Sequence, residues 1–124
     1  MVYLNLSVAN LNSAIDFYAN KIGIFEHQAY GRLICGLGVD LIIDLNECGS
    51  ERHRSIFGRD DHVPASFWIS VGDNSSEENI AILHKWKSNH VPYAEVRNLG
   101  GHYIQFTDPS SNRFTLHANL GVFQ

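Results

Sequence analysis

The chain has 124 residues, of which 44% are hydrophobic and 18% charged, and its formal net charge is −4. That length suits one compact domain with a real core, and the composition is globular rather than disordered. With no basic run, the charge argues against nucleic acid and anionic membrane surfaces as partners. No apolar stretch approaches a membrane span, and the opening MVYLNLSVAN lacks the regions of a signal peptide. Cys35 and Cys48 form no CxxC pair and read as reduced thiols of a cytoplasmic protein, with Cys35 a small core residue in an apolar run.

In chain order, VYLNLSVAN alternates Val2, Leu4, Leu6 and Val8 with Tyr3, Asn5 and Ser7, which predicts a strand. A helix follows, capped by Asn10 or Asn12, with Leu11, Ala14, Ile15, Tyr18 and Ile22 at helical spacing and Gly23 as its stop. IFEHQAY, RLICGLG and VDLIIDLNE read as three further strands. The charged segment GSERHRSIFGRDDHVP then reads as a solvated loop, and His53, Asp60, Asp61 and His62 in it form only a weak candidate metal cluster. SFWISVG restarts the order as a strand. Ser75 and Glu78 suit a capping box for a helix striped by Ile80, Leu83 and Trp86, and VPYAEVRN, HYIQFTD and RFTLHAN follow as strands.

The second half therefore repeats the first, β-α-β-β-β twice. The reading is an α+β domain of two βαβββ modules, their mixed sheets curled around a cleft with helices on the outer faces. Module one spans about 1–46, a linker about 47–64, module two about 65–119 and a tail 120–124. One strand parity is dry: Leu4, Leu6, Val8, Leu41, Ile43, Leu45, Phe67, Ile69, Val71, Ile104, Phe106, Phe114 and Leu116. The other carries Tyr3, Asn5, Ser7, Asp40, Ile42, Asp44, Ser66, Trp68, Ser70, Tyr103, Gln105, Arg113, Thr115 and His117. A mixed polar and aromatic concave face is what a small-molecule pocket requires.

FTDPSSNRFTLHAN has turn chemistry at Asp108-Pro109-Ser110-Ser111-Asn112 between two strands. It resembles the closing F-x-DP-x-GN-x-x-E-L hairpin of the vicinal oxygen chelate superfamily, which includes glyoxalase I, extradiol dioxygenases and the fosfomycin- and bleomycin-resistance proteins. Ser111 replaces that family's turn glycine. LSVANLNSAIDFYANKIGI resembles its opening strand, V-x-D-L turn, S-x-x-FY helix and L-G-F exit, with Asn10 where Asp is usual and Ile22-Gly23-Ile24 for Leu-Gly-Phe. Metal-dependent members bind a divalent ion with His and Glu from the inner faces of both modules. The matching positions here are Tyr3, Ser66, Thr115 and, near the end of module one, Asp44. Only Asp44 is a competent ligand, so the resemblance implies no metal and no cofactor.

VDLIIDLNE and VPASFWISVGD most resemble the metal-free bleomycin-resistance branch. That likeness implies a homodimer sequestering a small organic ligand, cationic or aromatic, in a cleft lined by Tyr3, Asp44, Ser66, Trp68, Tyr103, Thr115 and His117. A role in antibiotic resistance goes with it. Asp40, Asp44 and the net charge lean towards a cation. Trp68 reads either as a stacking platform or as a plug of the cleft. His117 and Asp44 read either as a general acid–base pair or as pocket polarity. The competing function is a lyase, isomerase or transferase using those two residues or a rebuilt metal site. A regulatory or scaffold protein with a filled cleft is a third.

Overall fold

Alternation in the first nine residues produces β1 (Val2–Val8), and the chain then turns at Asn10, whose side chain accepts from the Ser13 amide at 2.9 Å. That cap starts α1 (Leu11–Ile15), which widens into a π-helical turn over Asp16–Lys21, ending where the Ile22 amide reaches the Phe17 carbonyl at 2.9 Å. β2 (Phe25–His27), β3 (Arg32–Cys35) and β4 (Leu41–Glu47) follow. β2 is shorter than its apolar run predicts, and Tyr30, at φ 54, lies in the turn that sends the chain back into β3. The computed structural model describes residues 1–72, 89–98 and 101–118. The helix expected around Ile80, Leu83 and Trp86 and the tail 120–124 lie outside them.

The linker is not the loop that its charge predicts. Glu51–Phe57 forms α2, capped by the Ser50 hydroxyl on the His53 amide at 3.1 Å and stopped by Gly58 at φ 72. Its cap and stop residues carry the signal, since about two turns of mostly polar helix have no long apolar stripe to read. β5 (Ser66–Gly72), β6 (Ala94–Asn98), β7 (Gly101–Thr107) and β8 (Arg113–Ala118) complete the chain.

The strands make two four-stranded mixed sheets of the same order, β1-β4-β3-β2 and β5-β8-β7-β6. In each, the first strand pairs parallel with the last and the remaining pairs are antiparallel. The α+β double-module architecture expected from the repeat is therefore the observed one. On the second sheet parity separates as alternation predicts: Ile69, Ile104, Phe106, Phe114 and Leu116 are buried, while Ser66, Trp68, Gln105 and Arg113 are exposed. On the first sheet Ser7, Ile42 and Asp44 of the polar parity are buried as well.

The helix-facing sides of both sheets share a core in which Tyr18 is the joint. Its ring stands edge-on to Phe17 and Phe25, with centroids 5.0 and 5.7 Å away, and is tilted against Phe114 at 6.4 Å. A buried phenol needs a partner, and the Tyr18 hydroxyl donates to Asp108 Oδ2 at 2.7 Å. Asp108 also accepts from the Ser110 and Asn112 amides and from Asn112 Nδ2, at 2.8, 2.9 and 3.0 Å. Asn112 Nδ2 donates to the Ser7 carbonyl at 2.8 Å, and the Ala9 amide donates to Ser110 Oγ at 2.9 Å. The closing hairpin thus fastens the second module to the first.

Candidate functional site

On the first sheet, cross-strand register puts Arg32 directly opposite Asp44. The guanidinium grips the carboxylate with two bonds, Nε to Oδ1 at 2.9 Å and Nη2 to Oδ2 at 3.2 Å, and it lies over the Tyr3 ring 5.5 Å from the centroid. This pairing raises the Arg32 pKa, the hydrogen bond to Asp44 being the largest cause. From α2, Arg52 adds Nη2 at 3.4 Å from Asp44 Oδ2 and donates through Nε to Asn46 Oδ1 at 2.9 Å. The cluster walls a cavity of about 600 Å³ with Leu11, the 28–31 turn, Glu47 and Ser50. Gly31 allows that turn to press on β4, because a Cβ there would lie 2.3 Å from the Leu45 carbonyl oxygen.

Deeper on the same parity, Ser7 is fully buried beneath the linker. Its hydroxyl lies 2.7 Å from His53 Nε2 and 3.0 Å from both His62 Nδ1 and the Val63 amide. The Arg59 carbonyl, 2.7 Å from His53 Nδ1, makes that nitrogen a donor. In the neutral ring Nε2 then accepts the Ser7 proton, and His62 and Val63 donate to the Ser7 oxygen. Cys48 Sγ lies 3.7 Å from Ser7 Oγ and 3.9 Å from His53 Nε2. The expected solvated loop is therefore corrected at His53, which is 0% exposed, because its two nitrogens tie α2 to β1 and to the 59–63 segment. Asp60 and Asp61 stay at the surface, paired with Arg54 and Arg59, and the Arg59 hydrogen bond lowers Asp61 to about 2. Among the described residues no group of three or more His, Cys, Asp and Glu converges as metal ligands would. Both cysteines are free, Cys35 buried and its thiol pKa raised chiefly by that burial.

The face of the second sheet opposite the core is open. Trp68, 64% exposed, stacks on Tyr103 at 6.1 Å and 24° and meets His117 at 6.0 Å. Tyr103 and His117 are cross-strand partners with ring centroids 4.6 Å apart, and His117 Nδ1 lies 2.8 Å from Ser70 Oγ. One register row away, Trp68 is level with Thr115 and Gln105, and beyond them Ser66, Arg113 and Thr107 align. A second cavity, of about 450 Å³, lies there between Ser66, Arg113 and Thr115 and the apolar Phe17, Pro92, Tyr93 and Phe106.

The seven residues named from sequence thus fall into three places. Tyr3 and Asp44 sit in the first sheet's charge cluster, Ser66 and Thr115 in the second cavity, and Trp68, Tyr103 and His117 in the aromatic patch. Within one chain Asp44 and His117 are not brought together, Asp44 being held by Arg32 of its own sheet and Arg52 of α2, and His117 by Ser70 of its own sheet. Sequence reasoning missed Arg32 and Arg52, and it placed His53 in a solvated candidate metal cluster rather than buried against Ser7. Arg32 needed the β3–β4 register, and the other two needed α2.

No protein-family profile and no curated protein sequence matches the chain. Solved structures do resemble it. A lactoylglutathione lyase from Agrobacterium tumefaciens superposes with a TM-score of 0.64 at 15% identity, over 95% of this chain and 92% of that one. A glyoxalase/bleomycin resistance protein from Catenulispora acidiphila gives 0.62 at 14%, over 94% and 96%. An antibiotic-binding protein from a Streptomyces species gives 0.62 at 14%, over 94% and 93%. At such identities the likeness establishes the fold, that of the glyoxalase/bleomycin resistance proteins, and leaves function to the site.

Proposed function

We propose that the chain is a metal-independent binding protein for a small organic molecule, acting by sequestration as a homodimer in the cytoplasm. The observation that carries this reading is the state of Asp44. It is the one competent ligand among the four positions where metal-dependent relatives hold their ion, and two guanidiniums already occupy it. A divalent cation brought to that carboxylate would meet Arg32 and Arg52, and Tyr3, Ser66 and Thr115 offer it no carboxylate or imidazole. The residues present do not fit the metal.

Binding is supported by the open face of the second sheet, where Trp68 and Tyr103 present stacked rings to a planar ligand. Rings exposed on a sheet face, with Tyr3 at 56% exposure on the other sheet, also favour a second copy closing the cleft. The separation of Asp44 from His117 favours binding over acid–base chemistry. An antibiotic-binding protein among the similar folds makes a resistance role the natural context, and a planar aromatic drug the first ligand to try. The acidic cleft expected to attract a cation lacks a free carboxylate at Asp44, and Asp40 is paired with the terminal ammonium at 3.0 Å. Titration of tryptophan fluorescence with planar aromatic compounds tests the proposal. Saturable quenching that Trp68→Phe abolishes is expected, with a dimer in sedimentation, and silence across the panel would refute it.

A further inference from the structure

We infer that the second cavity is an oxyanion subsite, so that the ligand is an aromatic acid rather than a cation. This inference rests on the binding reading above and names the ligand class for it. Among the described residues lining the cavity, Arg113 is the only charged one. Its side chain is exposed, and among the described residues no carboxylate pairs with it, whereas Arg32 and Arg52 are committed to Asp44. Ser66 and Thr107 are its cross-strand neighbours, and Thr115 follows on the same face. A guanidinium fork surrounded by hydroxyls is the arrangement that receives a carboxylate or phosphate oxygen pair.

The remaining walls suit the rest of such a molecule. Phe17, Pro92, Tyr93 and Phe106 make one side apolar. Trp68 stands level with Thr115, two residues along from Arg113, a strand distance of about 7 Å. A rigid ligand with its ring about one register row from its charge would therefore reach Arg113 while lying on aromatic surface.

Three isosteric probes separate charge from shape: biphenyl-4-carboxylate, biphenyl-4-carboxamide and 4-phenylbenzylammonium, each titrated calorimetrically against the full chain at low salt. The carboxylate is expected to bind at least about tenfold more tightly than the other two. Arg113→Gln should bring it down to the amide's level and leave the amide within about twofold, while Arg113→Lys keeps part of the preference because the charge persists without the fork. Biphenyl-4-yl phosphate compared with the carboxylate decides which oxyanion the site takes, and a preference for either supports the inference. Equal binding of the three probes, tighter binding of the ammonium, or a preference that survives Arg113→Gln would overturn the oxyanion subsite alone. Failure of all probes to bind would overturn the cleft reading with it.

Discussion

Tyr18→Phe removes one oxygen from the joint between the modules and leaves the ring packing in place. Asp108 is buried, and it would keep the Ser110 amide and the two Asn112 donors while losing the Tyr18 hydroxyl. A hydrogen bond to a charged group contributes about 1.5–3 kcal/mol, and the isosteric change opens no cavity, so a loss of about 2 kcal/mol is expected. At about 2.1 cal/mol/K of unfolding entropy per residue, a chain of this length should melt roughly 8 °C lower. The same residue sets a pH dependence. Burial first, then the charge and hydrogen bond of Asp108, raise the Tyr18 pKa far above its ordinary 10.0. Above pH 10 the unfolded phenol ionises while the folded one keeps its proton, so unfolding releases a proton and stability falls as pH rises. The slope approaches about 1.4 kcal/mol per pH unit and is absent in Tyr18→Phe. Urea titrations of both proteins from neutral to alkaline pH measure both effects. A neutral-pH loss under about 0.5 kcal/mol, or parallel curves above pH 10, would refute the joint as described.

Ser111 sits at φ 67 in the hairpin, a conformation that suits glycine. Ser111→Gly should therefore raise stability by about 0.5–1 kcal/mol in chemical denaturation. Gly31→Ala forces a Cβ to 2.3 Å from the Leu45 carbonyl oxygen and should cost at least about 2 kcal/mol, read as a lower denaturation midpoint. Ser7→Ala strips a shared partner from His53, His62 and the Val63 amide. A loss of about 2–3 kcal/mol is expected, with faster hydrogen exchange across residues 51–63 than across β4.

The fold was legible because the strands repeat period two and the modules repeat each other. Ile104 and Phe106 against Gln105, or Phe114 and Leu116 against Arg113, point where alternation places them. The linker helix was not, since its evidence lies in a Ser cap and a Gly stop around a polar septet. The site was half legible. Which residues face outward follows from parity, but which of them meet follows from register. Thus Asp44 looked like a free carboxylate until Arg32 came opposite it, and His53 looked solvated until Ser7 closed over it. Arg113 lay on the correct parity, and only the lining of its cavity shows it as the single charge among the described residues of that wall.

Metal content and ligand affinity measured on one preparation test the central claim most directly. The divalent metal bound per chain would be determined by mass spectrometry, and the binding isotherm of the tightest aromatic ligand recorded before and after EDTA. Metal far below one ion per chain and superimposable isotherms are predicted. One tightly held ion per chain, or binding lost to the chelator and restored by a divalent cation, would contradict the account.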